Sequence, residues 1–136
     1  MRVYLDTSAL LKRIIDERGS EQLRIALRQH VNDHARFVTS RLASVEISRG
    51  LRTRFDIGYT AAADYLNDAL SGIAEHPLGD EVISLSRRLN PHKLRSQDAI
   101  HVASAILLDS DLLITYDDRM TDAAEHNGLR CSAPGR

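Results

Sequence analysis

Tryptophan is absent, phenylalanine occurs twice and tyrosine four times, so aromatic residues amount to 4% of the 136 positions. A platform of stacked aromatics for single-stranded nucleic acid is therefore a minor expectation. Cys131 is the only cysteine, which excludes an internal disulfide, and its setting near the C-terminus fits no thiol chemistry. It reads as a small buried or half-buried residue. No hydrophobic run is long enough to span a bilayer, Ala99 to Leu108 being the best attempt, and a lone Arg2 before a short strand is not a signal peptide. The chain is accordingly expected in the cytoplasm, away from membranes. Charge of one sign is lacking too: 18 Lys and Arg against 19 Asp and Glu leave a formal charge of -1, so the whole-molecule field steers little toward a polyanion. A basic rim around an acidic pocket remains compatible with that balance.

With 43% hydrophobic and 27% charged residues, no internal repeat and no low-complexity linker, what is present is an ordinary globular composition. One domain over 1–136 is expected, long enough to bury a core without staples. Met1 to Leu5 reads as a strand cut off by Asp6-Thr7-Ser8, after which Leu10, Leu11, Ile14 and Ile15 form a helical stripe ending at Gly19. Ser20 is placed as the N-cap of a second helix through Leu23, Leu27 and Val31. Phe37 to Thr39 reads as a buried strand, and Ser40 as the cap of a helix through Leu42, Val45, Glu46 and Arg49, weakened at Gly50.

Thr60 is expected to cap an Ala-rich helix reaching Ile73, with His76 to Gly79 as a turn and Asp80 capping a helix from Glu81 to Leu89. Ser96 is expected to cap a helix carrying Asp98, Val102 and Ile106. Leu112 to Tyr116 is the strongest strand, continuous in apolar and β-favouring residues. Thr121 then caps a short last helix, and Leu129 to Cys131 forms an edge strand. Strands alternating with helices imply an α/β fold, a three-layer α/β/α sandwich around a central, mostly parallel sheet.

Asp6 and Asp117 each follow a convincing strand, which in a parallel sheet puts both at the carboxyl edge where open α/β sheets bind ligands. Asp98 near a helix start and Glu46 on an inward helical stripe can cover the same edge. A carboxylate on such a stripe needs a partner. Four carboxylates brought together without cations repel by roughly 1 kcal/mol per pair at about 4 Å in water, and about 4 kcal/mol at an effective dielectric near 20. A hard divalent cation relieves that repulsion: Mg²⁺ takes a few carboxylates together with waters and phosphate oxygens, and Mn²⁺ suits the same ligands. Such an ion can activate water against a phosphodiester and neutralise the charge that develops.

The strings VYLDTSALLK, SVEIS, LRSQDAIHVASA and ITYDDR, the last followed by AAEHNGL, closely resemble the four acidic motifs of PIN domains, in family order from Val3 to about Cys131. DTSALLK and LRSQDAIHVASA are specific to the VapC-like branch, the toxins of bacterial toxin-antitoxin pairs. That resemblance implies the PIN-like fold, metal-dependent endoribonuclease activity leaving a 5′-phosphate and a 3′-hydroxyl, a homodimer, and inhibition by a cognate antitoxin. It carries over Asp6, Glu46, Asp98 and Asp117 as catalytic metal ligands, with the Ser8 and Thr115 hydroxyls as supports. Asp117 and Asp118 are adjacent, and position favours Asp117 as the first residue beyond the strand.

Each residue also has a plainer reading. Asp6 and Asp98 can serve as a helix cap and a first-turn acid, and Glu46 can pair with Arg49. His30 and His34 have the spacing of a zinc pair but no third ligand, and His101 reads as a satisfied structural histidine at the pocket rim. The clusters Arg87, Arg88, His92, Lys93, Arg95 and Arg41, Arg49, Arg52, Arg54 are either solvated faces or contacts to an RNA backbone. Two rival functions are an aspartyl-phosphate phosphatase acting through Asp6 and a non-catalytic interaction module. The first lacks a second Asp two residues on, where Ser8 stands; the second leaves four retained acids unexplained.

Overall fold

Side chains alternate between the two faces of a strand, and β1 uses that alternation to separate two cores. Val3 and Leu5 point into one apolar cluster and Tyr4 into another. The structure, a computed structural model, describes residues 1–136. Its elements are β1 (Arg2–Leu5), α1 (Thr7–Ile14), α2 (Ser20–Asn32), β2 (Arg36–Ser40), α3 (Arg41–Phe55), α4 (Tyr59–Ala69), β3 (Ile73–His76), α5 (Asp80–Arg88), α6 (Ser96–Leu107), β4 (Leu112–Ile114), α7 (Asp118–His126) and β5 (Cys131–Ser132).

The strands form one sheet in the order β3-β2-β1-β4-β5, and every neighbouring pair is parallel. Parallel neighbours need a crossover, and a helix or helix pair supplies each one. The chain moves outward from β1 to β2 to β3, then returns to lay β4 against the other side of β1. Strand order therefore reverses between β1 and β4, with Leu5 opposite Ile114. The crevice beyond such a reversal is where ligands bind in open α/β sheets.

On one face, Val3, Leu5, Leu112 and Ile114 pack against Leu10, Leu23, Ile47 and Leu51 of α1, α2 and α3. On the other, Tyr4, Val38 and Leu113 pack against Val102 of α6 and Met120 and Ala123 of α7. The expected sandwich is present, and the sheet is wholly rather than mostly parallel.

Local differences trace to particular contacts. Ile73 was expected to end the Ala-rich helix, yet Ile73–His76 is β3: Gly72, at φ 77°, turns the chain, and the open edge of β2 supplies the ladder from Phe37–Ile73 to Ser40–His76. Gly50 does not end α3, because buried Leu51 beyond it holds the helix to the core as far as Phe55. Ser20 does not cap α2. Gly19 does, at φ 88°, while the buried Ser20 hydroxyl accepts from the Glu17 N–H at 3.0 Å and donates to the Ile15 carbonyl at 2.9 Å. Thr60, Asp80, Ser96 and Thr121 likewise lie inside their helices, whose caps are Gly58, Gly79, Arg95 and Asp117. Of the caps placed on α2 to α7, only Ser40 acts as expected, accepting from Leu42 N–H at 3.1 Å. The last strand is shifted to Cys131–Ser132.

Candidate active site

Because Leu5 sits opposite Ile114, the next residues of β1 and β4, Asp6 and Thr115, meet just past the ladder. The Thr115 hydroxyl donates to Asp6 Oδ2 at 2.6 Å, and the Ser8 hydroxyl donates to Oδ1 at 2.6 Å. Oδ1 also caps α1 by accepting from Ala9 N–H at 3.0 Å, so the plainer reading of Asp6 as a cap is true as well. Ser8 in turn accepts from Tyr116 N–H at 2.9 Å and Thr115 from Asp117 N–H at 3.1 Å, which ties the end of β4 to the end of β1. Asp6 is 2% exposed, and burial pushes its carboxyl above the usual range despite His101, Ser8, Thr115 and the Ala9 N–H, all of which oppose the rise.

Glu46 reaches the same edge from the second turn of α3. Its Oε1 accepts from the Thr7 hydroxyl at 2.8 Å and lies 2.6 Å from His101 Nε2. Burial alone would raise this carboxyl, but the hydrogen bonds from His101 and Thr7 hold it below its ordinary value. Arg49 is not its partner.

Asp98, in the first turn of α6, and Asp117, which caps α7, share one cation. Arg95 places Nε 3.4 Å from Asp98 Oδ2 and Nη2 3.5 Å from Asp117 Oδ2. Burial and the neighbouring charge of Asp117 push Asp98 upward, against the pull of Arg95 and His101. Asp118 turns away and pairs with Arg136 at 2.7 Å. Of the two adjacent acids, Asp117 is thus the one beside Asp98.

The donor set fits a hard cation in one respect and withholds it in another. Chain partners hold Oε1 of Glu46, Oδ2 of Asp98 and Oδ1 of Asp117, while Oε2 of Glu46 and Oδ1 of Asp98 have none, and Oδ2 of Asp117 meets only Arg95. Both unpartnered oxygens are reached by solvent. No group of three or more acidic, histidine or cysteine side chains is yet drawn together to hold an ion. Arg95, over half exposed, supplies the positive charge between two of the acids.

Sequence reasoning underestimated His101. It is 1% exposed and spends both ring nitrogens on other layers of the fold, Nδ1 on the Tyr4 hydroxyl at 2.8 Å and Nε2 on Glu46. Its position three residues after Asp98 was visible, but its partners lie 97 and 55 positions away. His30 and His34 form no zinc pair: His34 lies beyond α2 at φ 60°, and His30 meets Phe37 edge-on. Of the basic clusters, Arg95 enters the site, Arg41 and Arg54 pair with Glu75 and Glu17, and Arg49 and Arg52 border a shallow groove beside Tyr59. An apolar recess of about 290 Å³, lined by Ile14, Ile15, Leu51, Phe55, Ile57 and Tyr65, lies at the other end of α1 and takes no part in the cluster. No helix is long and apolar enough to cross a membrane.

Known proteins share this fold. Ribonuclease VapC46 of Mycobacterium tuberculosis (strain H37Rv) is 39% identical over 134 residues, covering 97% of this chain and 97% of that protein. Ribonuclease VapC47 of Mycobacterium tuberculosis (strain CDC 1551) is 36% identical over 135 residues, covering 98% and 97%. Among solved structures, VapBC2 from Rickettsia felis bound to a DNA fragment from their promoter superposes with a TM-score of 0.76 at 13% identity, covering 98% of this chain and 99% of that one. VapC20 of Mycobacterium tuberculosis, a Sarcin-Ricin loop cleaving toxin, gives 0.70 at 14% identity, covering 97% and 99%. The PIN domain profile matches residues 3–126, nearly the whole distance from β1 to the end of α7, and with near-full-length relatives above a third identical, this chain belongs to the PIN-domain family.

Proposed function

We propose that this chain is an endoribonuclease that hydrolyses RNA phosphodiester bonds, the toxin component of a toxin-antitoxin pair, and that Asp6, Glu46, Asp98 and Asp117 hold a divalent cation, Mg²⁺ or Mn²⁺, for that reaction. The observation that supports the metal reading best is the division of labour within the carboxylates: one oxygen of Glu46 and one of Asp117 are fixed by Thr7, His101 and backbone N–H groups, while the other oxygen of each, and both oxygens of Asp98, are free or held only by the exchangeable Arg95. When bound, such an ion lowers the pKa of water and neutralises charge on a phosphodiester.

The chain's own groups then do the rest. Asp6, locked by Ser8, Thr115 and the Ala9 N–H, is the rigid member around which the others adjust. Asp98, whose proton is held more tightly than usual, is the acid best suited to take a proton from water. Arg95, once released from Asp98 and Asp117, is free to meet a phosphate oxygen. No side chain is set as a nucleophile, so we read the reaction as direct hydrolysis by water, and the resemblance to VapC-like PIN domains implies a 5′-phosphate and a 3′-hydroxyl as the product ends.

The relatives' names support the ribonuclease reading, and the description of the solved VapC20 structure as a cleaving toxin supports the toxin reading. We extend them to this chain as an RNA substrate, a cognate antitoxin, a homodimer and a cytoplasmic place of action, carried by one PIN-like domain over 1–136. The test is cleavage of RNA by purified protein with Mg²⁺, with Mn²⁺ and with chelator, alongside Asp6→Asn and Asp98→Asn. Metal-dependent cleavage lost in both variants supports the reading. Cleavage that survives chelation and both substitutions refutes it.

A further inference from the structure

Histidine 101 lies where the two layers of helices meet over the carboxyl edge. α6 carries it on one face of the sheet, α3 carries Glu46 on the other, and Tyr4 rises from β1 between them. A buried histidine that only filled space would satisfy its nitrogens nearby. This one joins a tyrosine hydroxyl at 2.8 Å and a carboxylate at 2.6 Å across three elements, with the Thr7 hydroxyl 3.3 Å from the same Nε2.

The identities of the partners dictate the direction of every bond. An ionised carboxylate only accepts, so the proton between His101 and Glu46 sits on Nε2. Tyr4 is fully buried with its hydroxyl 2.8 Å from Nδ1, and a phenolic hydroxyl is an O–H donor. Its O–H is therefore present to donate to Nδ1, and a ring that accepts at Nδ1 presents its hydrogen at Nε2. His101 and Thr7 both end on Oε1, which fixes the carboxyl plane of Glu46 and leaves Oε2 unpartnered.

We infer that His101 is a positioning residue for Glu46: Tyr4 fixes the ring hydrogen at Nε2, Nε2 grips Oε1, and Oε2 is thereby presented to the cation site. This rests on the proposal that Glu46 is a metal ligand. Partners of this kind, one step removed from the metal, change affinity or activity by about 10–100-fold when removed. His101 itself touches neither cation nor RNA.

Two substitutions separate positioning from space-filling. In His101→Gln the amide nitrogen reaches the place of Nε2, whereas in His101→Asn it reaches only that of Nδ1; both lose the ring. The expected result is Mn²⁺ affinity, measured by calorimetry, within about threefold of wild type for Gln and at least about tenfold weaker for Asn, the range set by such partners, with similar melting temperatures for the two metal-free variants. Equal weakening in Gln and Asn that follows their loss of stability would overturn the inference.

A second readout needs neither metal nor substrate. Nitrogen-15 spectra of the metal-free protein should show Nε2 of His101 protonated and Nδ1 bare, with Nδ1 shifting in Tyr4→Phe and Nε2 in Glu46→Gln. A proton on Nδ1 in the wild type sinks the assigned chain of bonds. The spectra stand apart from the nuclease reading: should the wild type bind no Mn²⁺ and cut no RNA while the spectra appear as expected, the metal proposal fails and the Tyr4-His101-Glu46 chain survives.

Discussion

The two faces of the sheet bury similar kinds of residue to different ends. On the face covered by α1 to α4 the apolar cluster runs from Val3 and Leu5 to Leu10, Leu23, Ile47 and Leu51, and the buried polar side chains of α1 and α2, Lys12 and Ser20, bond only to the turn between those helices. On the face covered by α6 and α7, Tyr4 stands in the core with His101 and Ser104 also buried, and Tyr4 and His101 are hydrogen-bonded to each other. Apolar burial is non-directional and adds roughly in proportion to area, so the aliphatic cluster holds α1 and α3 in place without itself aiming the Thr7 and Glu46 side chains they carry to the edge. Buried polar groups must be matched in direction as well as in place, and the second face uses that demand to point groups at the edge. Stability and site should therefore separate under mutation.

The largest separation is expected at the acids. Asp98→Asn and Asp6→Asn should each lower RNA cleavage by at least about a thousandfold, near 4 kcal/mol of barrier, while metal-free melting is unchanged or rises. A matched loss of stability in both would make them structural and erase the contrast. The converse comes from the aliphatic face: Ile47→Ala, at the residue next to Glu46 on the same helix but buried in the apolar cluster, should cost about 2–5 kcal/mol in urea unfolding with Mn²⁺ affinity preserved in the folded fraction. If affinity falls as steeply as stability, the two faces are not independent.

Next in size is the ion itself. Mn²⁺ at a hundred times its dissociation constant should stabilise the folded protein by about 2.7 kcal/mol, read as a melting shift that a chelator reverses and that Asp6→Asn diminishes. No shift in the wild type would remove the metal from the site.

The acids also predict how stability follows pH in the metal-free protein. Asp6 and Asp98 have folded-state values above their ordinary 3.8. As pH climbs past 3.8 the unfolded chain therefore surrenders those protons first, and stability falls until the folded values are passed. Glu46 has the opposite sign, its contribution being present above 4.5 and lost as acid approaches its lower folded value. Urea unfolding between pH 4 and 7 should show Asp6→Asn gaining on the wild type as pH rises; a constant difference would mean that burial of Asp6 is not felt by its proton. The smallest effect is expected at the neighbour facing away: Asp118→Asn breaks an exposed pair with Arg136 and should cost less than about 1 kcal/mol, with cleavage intact where Asp117→Asn abolishes it.

Much of this was legible in the linear chain because it depends on short-range periodicity. Strand β1, the stripes of α1 and α6, the apolar run of β4 and the acids placed at their ends follow from residues close together in sequence, and the acid motifs are local strings. What was misread also has a local cause. Ser20, Thr60, Asp80, Ser96 and Thr121 are residue types that favour caps, and whether such a side chain caps a helix or closes a turn inside it depends on which backbone groups the fold leaves unpaired. Ile73 had no strand character of its own until β2 offered it a free edge.

Period and capping chemistry alone thus determined an alternating α/β chain with acids at strand ends, because strand and helix repeats are written within a few residues. Only the tertiary structure decided that Asp117 rather than Asp118 lies beside Asp98, that Arg95 spans the pair, and that Tyr4 and His101 hold Glu46. Those are hydrogen bonds and ion pairs between side chains, set by packing distances of a few ångströms that sequence spacing does not encode.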